Sequence, residues 1–122
     1  MGYSTDFIGQ FDLNRPLDSE HNSFLKLFAN TRHGEGDEID ENNPEPPGIW
    51  CQWVPSEDGK AIEWDENEKF YDYIEWIQYL LKHFLIPWGY ILNGKVIWQG
   101  ENMCDRGKIE IDNNLVTITE LE

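Results

Sequence analysis

The chain is poor in basic residues. It has nine Lys and Arg residues against 24 Asp and Glu residues, and its formal net charge is −15. Direct binding of duplex DNA or RNA requires a basic surface, so this composition argues against it. Binding to an anionic membrane is disfavoured for the same reason. The charge favours a protein partner with a basic surface; the alternative is that the acidity only keeps the protein soluble.

Cysteines and long apolar runs are also scarce. Cys51 and Cys104 are the only cysteines, and they form no C-x-x-C motif. The first residues lack the basic segment and apolar run of a secretory signal, and no apolar run is long enough to span a membrane. These features predict a cytoplasmic protein with two reduced thiols. A disulfide between the two cysteines is the open alternative.

Motifs of catalysis and of metal or cofactor binding are missing as well. The three histidines, His21, His33 and His83, stand in no H-x-x-x-H or H-E-x-x-H frame. The sequence has no G-x-S-x-G segment and no glycine-rich phosphate loop. We therefore predict no metal, no cofactor and no catalytic residue. The abundant carboxylates leave an enzymatic acid–base pair open, but a non-enzymatic function is favoured.

One acidic segment differs in composition from the rest of the chain. The 122 residues have the size of one domain. Residues 33–48 contain six acidic residues, three prolines and three glycines, but no Lys or Arg. Such a segment has too little apolar surface to fold by itself. We expect an exposed acidic loop at 33–48 within a single domain, 1–122.

The first half of the chain predicts a strand, a helix and a hairpin. Residues 3–14 alternate between polar and apolar, as a half-buried strand does. Asp18 or Ser19 is a suitable N-cap for a helix that ends near Asn30. Ile49–Val54 and Lys60–Trp64 flank an Asp-Gly turn signal and predict a hairpin.

The second half begins with the clearest helical pattern. Apolar residues form one stripe at helical spacing: Phe70, Tyr73, Ile74, Ile77, Leu80, Leu81 and Phe84. We expect this helix to be capped near Asp65 or Asn67 and to stop at Pro87 and Gly89.

Two further turn signals follow the second helix. Asn93-Gly94 and Asn113-Asn114 each separate short apolar runs. They predict four short strands: Tyr90–Leu92, Lys95–Trp98, Lys108–Asp112 and Leu115–Thr119. The resulting fold class is α+β, a single domain with an antiparallel meander sheet and two helices packed on one face.

All six tryptophans lie between Trp50 and Trp98. The strings that contain most of them are residues 50–55, 68–76, 88–94 and 98–101. With Tyr3–Phe7 and Thr31-Arg32, they resemble a widespread family of small acidic bacterial proteins known only as hypothetical proteins. The chain departs from that family between Arg32 and Pro47, where the family carries a longer insert. The resemblance implies one shared domain architecture and transfers no activity and no site.

Two candidate sites follow from the aromatic and acidic residues. The flanks of the second helix carry the candidate partner-binding residues Asp72, Glu75, Trp76 and Tyr79. The alternative for Trp76 and Tyr79 is that they pack at the margin between helix and sheet. A second candidate is a ligand pocket for a nucleotide or sugar, lined by Trp50, Trp53, Trp64 and Trp98.

The charge decides between the two candidate functions. A net charge of −15 opposes ligands that carry phosphates. We therefore expect a non-enzymatic acidic interaction protein that occupies a basic surface of a protein partner, as inhibitors and immunity proteins do. The small-ligand binding protein or enzyme with a tryptophan-lined pocket is the alternative.

Overall fold

The fold is a six-stranded sheet with two helices. The structure, a computed structural model, describes residues 4–31, 50–67 and 70–121. Within these ranges the elements are β1 (Thr5–Leu13), α1 (Ser19–Ala29), β2 (Trp53–Pro55), β3 (Ala61–Trp64), α2 (Tyr73–Leu80), β4 (Leu92–Gly100), β5 (Arg106–Asp112) and β6 (Leu115–Glu120). The α+β class predicted from the sequence is confirmed. The acidic loop predicted at 33–48 lies outside the described residues.

All neighbouring strands of the sheet are antiparallel, in the order β2-β3-β1-β4-β5-β6. The first strand of the chain therefore lies in the middle of the sheet. β1 pairs with β4 along its whole length, from Thr5 opposite Gly100 to Leu13 opposite Leu92. On its other side β1 meets β3 only near its end, at Phe11 opposite Ile62.

One face of the sheet carries the core, and the opposite face is exposed. In β1, Phe7, Phe11 and Leu13 are buried, whereas Ile8 on the opposite face is 73% exposed. This is the alternation expected of a half-buried strand. Both helices contribute to the core cluster on the covered face, through Leu25 of α1 and through Trp76, Ile77 and Leu80 of α2.

Several local predictions are confirmed. The N-cap of α1 is Asp18 and its C-cap is Asn30. The chain reverses between β2 and β3 as the Asp-Gly signal indicates, and the Gly59 N–H donates to the Ser56 carbonyl at 2.9 Å. Asn113 and Asn114 have φ values of 48° and 70°, the left-handed pair that a two-residue hairpin turn requires.

The hairpin predicted at Asn93-Gly94 is wrong. Both residues lie inside β4, a single strand in which Gly94 pairs with Phe11 on one side and Ile111 on the other. The two short strands predicted around this turn are thus one strand, β4. Together with β5 and β6 it forms a three-stranded meander instead of four short strands. The glycine is used for close approach: at φ 139°, a Cβ on Gly94 would lie 2.7 Å from the Gln10 carbonyl oxygen.

The second helix begins later than predicted. Its N-cap is Asp72, whereas Asp65 and Asn67 belong to the connection from β3. Its apolar stripe is confirmed as core, since Ile77, Leu80 and Leu81 are buried. After Leu80 the helix widens into a π-helical turn, Leu81–Leu85, before the chain turns at Pro87 and Gly89.

Ile77 tests the packing of α2 against the sheet. Ile77→Ala is expected to lower the free energy of unfolding by roughly 2–5 kcal/mol, because it leaves a cavity in a closely packed core. Ile8→Ala, at the exposed face of β1, is the matched control and should cost less than about 1 kcal/mol. Urea denaturation of both variants gives the comparison. Equal losses would contradict the placement of Ile77 in the core.

Candidate functional site

The predicted partner-binding residues of α2 are only partly exposed. Asp72 and Glu75 are exposed at the start of the helix, and Tyr79 is half-buried. Trp76 is 0% exposed and packs edge-on against Phe28 of α1, with ring centroids 5.7 Å apart. Trp76 is therefore not an exposed anchor. It lies deeper than the helix–sheet margin that the sequence suggested, because α1 covers this side of α2.

Tyr79 belongs to an aromatic contact between the two helices. Its ring stacks on Phe28 with centroids 6.0 Å apart and lies 4.4 Å from the His83 ring. Burial raises the pKa of the Tyr79 hydroxyl above its ordinary value. At neutral pH the side chain is thus a neutral, half-buried ring whose main contacts are internal.

The four tryptophans of the alternative pocket do not line one cavity. Trp53 and Trp98 are core residues, and their indole N–H groups donate to the Tyr73 carbonyl at 2.8 Å and to Asp105 Oδ1 at 3.1 Å. Trp64 is half-buried and donates to the Asn67 carbonyl at 3.2 Å. Trp50 is 46% exposed. Of these four rings, Trp50 alone presents a large free face to a ligand.

The exposed acids of the β3–α2 connection and of the first turn of α2 are the remaining candidate. We define the acidic surface as Glu66, Tyr71, Asp72 and Glu75, which lie in the β3–α2 connection and the first turn of α2. The three carboxylates are exposed, and the Tyr71 ring is 51% exposed. Sequence reasoning selected Asp72 and Glu75 but not Glu66 and Tyr71, because local spacing does not show which side chains before the first turn of a helix stay exposed.

Asp65 holds the connection that carries the acidic surface. Its two carboxylate oxygens accept hydrogen bonds from the backbone N–H and the side-chain amide of Asn67, at 2.9 and 3.0 Å. Its own N–H donates to the Gln52 carbonyl at 3.0 Å, which ties the connection to the residue before β2. Asp65 is therefore occupied internally and positions the residues that follow it.

The backbone of the acidic surface is strained at two carboxylates. Glu66 and Asp72 have φ values of 67° and 58°, in the left-handed region that residues with a Cβ rarely adopt. Such conformations cost of order 1–3 kcal/mol and cluster at functional sites. Asp72 occupies the N-cap position, yet its side chain makes no capping hydrogen bond. Aspartate is nevertheless among the residues that tolerate the left-handed region, and its charge at the N-terminus of α2 interacts favourably with the helix dipole.

The acidic surface is not neutralised by nearby cations within the described ranges. The ion pairs found there are Arg15–Asp18 at 3.9 Å, His21–Asp18 at 3.7 Å and Lys108–Glu110 at 3.7 Å. None of them involves Glu66, Asp72 or Glu75. Because these three charges have no described cation within 4.0 Å, their field extends into the solvent.

A second group of polar and aromatic side chains surrounds His21 at the start of α1. His21 Nδ1 lies 2.8 Å from the Tyr90 hydroxyl, and the same hydroxyl accepts the Asp18 N–H at 2.9 Å. The His21 ring stacks on Trp88 with centroids 4.0 Å apart. The buried Tyr90 thus joins the first turn of α1 to the segment before β4. Sequence spacing gave no signal for this contact, since its members are far apart in the chain.

The described residues carry no cluster suited to a metal ion, defined as three or more His, Cys, Asp or Glu side chains. Cys51 and Cys104 are both free thiols, so the disulfide alternative is wrong. Burial raises the pKa of the Cys51 thiol to about 12, which keeps it protonated and unreactive. Cys104 is exposed.

Comparison with known proteins adds no family: no family model, curated protein or solved structure matches the chain. The resemblance to small acidic bacterial proteins stays an expectation from the tryptophan strings. No helix within residues 4–31, 50–67 and 70–121 has the length and apolar character needed to cross a membrane.

The strain at Glu66 is testable through glycine. Glu66→Gly relieves the left-handed penalty, which offsets the entropy that glycine adds to the unfolded chain. Glu57→Gly, in the β2–β3 turn, is a matched change at a residue without a positive φ. We expect the Glu66 variant to be more stable than the Glu57 variant by about 1 kcal/mol. Thermal unfolding measures the difference, and equal stabilities would remove the argument from strain.

Proposed function

We propose that this protein is a non-enzymatic interaction protein whose acidic surface occupies a basic surface of a protein partner, in the manner of inhibitors and immunity proteins. One observation carries the proposal. Glu66, Asp72 and Glu75 are exposed, have no described cation within 4.0 Å, and include two residues with strained backbones. Asp72 and Glu75 also favour the N-terminus of α2 through the helix dipole, but that role leaves all three carboxylates exposed and available to a basic partner.

The charges of the acidic surface determine how fast a partner associates and how strongly binding depends on salt. Two opposite unit charges 4 Å apart attract each other by about 4 kcal/mol near a protein surface, and by about 1 kcal/mol in bulk water. Part of that gain is lost to desolvation, so charges at the rim act mainly on the rate of encounter and on partner choice. The net charge of −15 extends the same attraction over the whole molecule. Binding should therefore weaken as salt rises.

Tyr71 takes the anchoring role that the sequence assigned to Trp76. Tyrosine is enriched among residues that dominate binding energy, because it offers a rigid ring and a hydroxyl. Tyr71 is next to Asp72 in the chain, and its ring is 51% exposed. Burial of this ring in a partner's pocket would slow dissociation, while the surrounding carboxylates speed association.

Charge reversal at the acidic surface tests the proposal. The immobilised protein is used to capture partners from a lysate of its native host at low and high salt, and captured proteins are then purified for kinetics. Asp72→Lys/Glu75→Lys is expected to lower the association rate about tenfold or more and to flatten its salt dependence. Tyr71→Ala is expected to speed dissociation.

The control for charge reversal is Asp6→Lys/Asp12→Lys. It makes the same change in net charge on the exposed face of β1, away from α2. The proposal requires that this variant keep most of the association rate. If both double variants lose the same amount, only the overall charge matters and the acidic surface is not the site. A partner that lacks a basic surface would also contradict the proposal.

The ligand-binding alternative now depends on Trp50. This ring lies at a cavity of about 330 Å³ that is also lined by Cys51, Gln52, Asp65 and Asn67. Calorimetry against a panel of nucleotides and sugars tests it. Under our proposal no compound binds stoichiometrically. Stoichiometric binding that Trp50→Ala abolishes, and that Asp72→Lys/Glu75→Lys leaves unchanged, would favour the alternative instead.

A further inference from the structure

The two edges of the sheet are protected differently. At one edge, β2 has three residues and ends in Pro55. A short edge strand with a proline is poorly suited to pairing with another chain. At the other edge, β6 has six residues, Leu115–Glu120, with no Lys, Arg, Pro or Gly. β6 therefore lacks the usual features that prevent edge-to-edge pairing.

The pairing of β5 with β6 shows which backbone groups face outward. The two-residue turn brings Asp112 opposite Leu115, and the Leu121 N–H donates to the Arg106 carbonyl at 2.9 Å. In an antiparallel pair, residues that bond to the partner strand alternate with residues that do not. The odd-numbered residues of β6 thus bond to β5. The N–H and C=O groups of Val116, Ile118 and Glu120 point away from the sheet, where no described strand pairs with them.

The side chains at this edge are unusual for so acidic a chain. Leu115 is 70% exposed and Ile118 is 37% exposed. Glu120, at the end of the strand, is the single charged residue of β6. The five residues before Glu120 are uncharged and mostly β-branched, so they offer little attraction to a basic partner. They do match a second strand with the same properties, and the same strand of another copy has them.

We propose that β6 pairs with β6 of a second copy around a two-fold axis. Antiparallel pairing centred on Ile118 places Ile118 opposite its own copy, Val116 opposite Glu120, and Thr117 opposite Thr119. All three outward-facing residues then exchange bonds, which gives about six new backbone hydrogen bonds. Leu115 lies opposite Leu121 on the open face. The two six-stranded sheets become one twelve-stranded sheet.

In this register the helices of the two copies and their Glu120 side chains can be accommodated together. Directly opposed residues share a face of a sheet, so the helices of both copies lie on the same side. The two Glu120 side chains are four residues apart along the strand, roughly 13 Å, which exceeds the Debye length of about 8 Å at physiological salt. The outer edges of the dimer are both β2, which stops growth at two copies.

Salt separates this contact from the proposed binding of a basic partner. Two copies of charge −15 repel each other, so screening strengthens the dimer. Attraction between the acidic surface and a basic partner weakens under the same change. The two proposals can therefore fail independently.

The test uses the full chain in sedimentation velocity and light scattering over a concentration series up to the millimolar range, at low and high salt. The wild type is expected to form a dimer, more so at high salt. Ile118→Lys should lower the dimer association constant about tenfold or more, since two lysines then face each other at the axis. Ile8→Lys is the matched control on the open face of β1 and should leave the dimer intact.

A second measurement covers the case in which Ile118→Lys does not fold. Ile118→Cys in a Cys104→Ser background adds no charge to the strand. Cys51, the other thiol, is buried and does not compete for the reagent. A short bis-maleimide should crosslink the Ile118→Cys variant into a dimer, whereas Ile8→Cys in the same background should not crosslink. A monomer at every concentration, growth beyond two copies, or a dimer lost in Ile8→Lys but retained in Ile118→Lys would each overturn the proposal.

Discussion

The position of the acidic surface depends on the ring of Phe7. From the middle strand of the sheet, this ring contacts Trp53 and Trp64 of the β2–β3 hairpin, with centroids 5.4 and 5.2 Å apart. It also contacts Phe70 and Tyr73, which stand at either end of the segment that enters α2, at 5.6 and 5.1 Å. One side chain thus joins the sheet, the hairpin and the start of α2. Edge-to-face aromatic pairs of this kind contribute about 0.5–1.5 kcal/mol each beyond the area they bury.

The same aromatic packing explains why several tryptophans are buried in the core and do not form a binding face. The sequence shows aromatic residues next to carboxylates, and that pattern fits a binding face as well as a core. The structure separates the two: Trp53, Trp76 and Trp98 lie in the core, whereas the neighbouring acids point outward. In a short helix on a sheet, adjacent residues differ by 100° in direction, so side chains that are neighbours in sequence have different surroundings.

Local sequence patterns predicted which helices and strands form better than they predicted where each one begins and ends. The alternation of β1, the stripe of α2 and the Asn113-Asn114 turn depend on residues close in sequence, and they are found as expected. Asn93-Gly94 has the same local signal, but pairing with β1 on one side and β5 on the other keeps it extended. The late start of α2 likewise reflects the Phe70 contacts with Phe7 and Trp53, which hold the chain before the helix begins. Of the candidate site, Asp72 and Glu75 were predictable from the sequence, but the left-handed backbone of Glu66 was not.

The π-helical turn Leu81–Leu85 sets how the chain leaves α2. The Ile86 N–H donates to the Leu81 carbonyl at 2.9 Å, five residues earlier, so the turn holds one residue more than an α-helical turn. Leu81 and Leu85, four residues apart, are both buried. Removal of one residue here would let the turn close into an ordinary α-helical turn, which would leave the phase of the flanking residues largely unchanged. This wide turn is thus a place where the chain can absorb a change of length, whereas a one-residue slip inside a strand moves its side chains to the other face of the sheet.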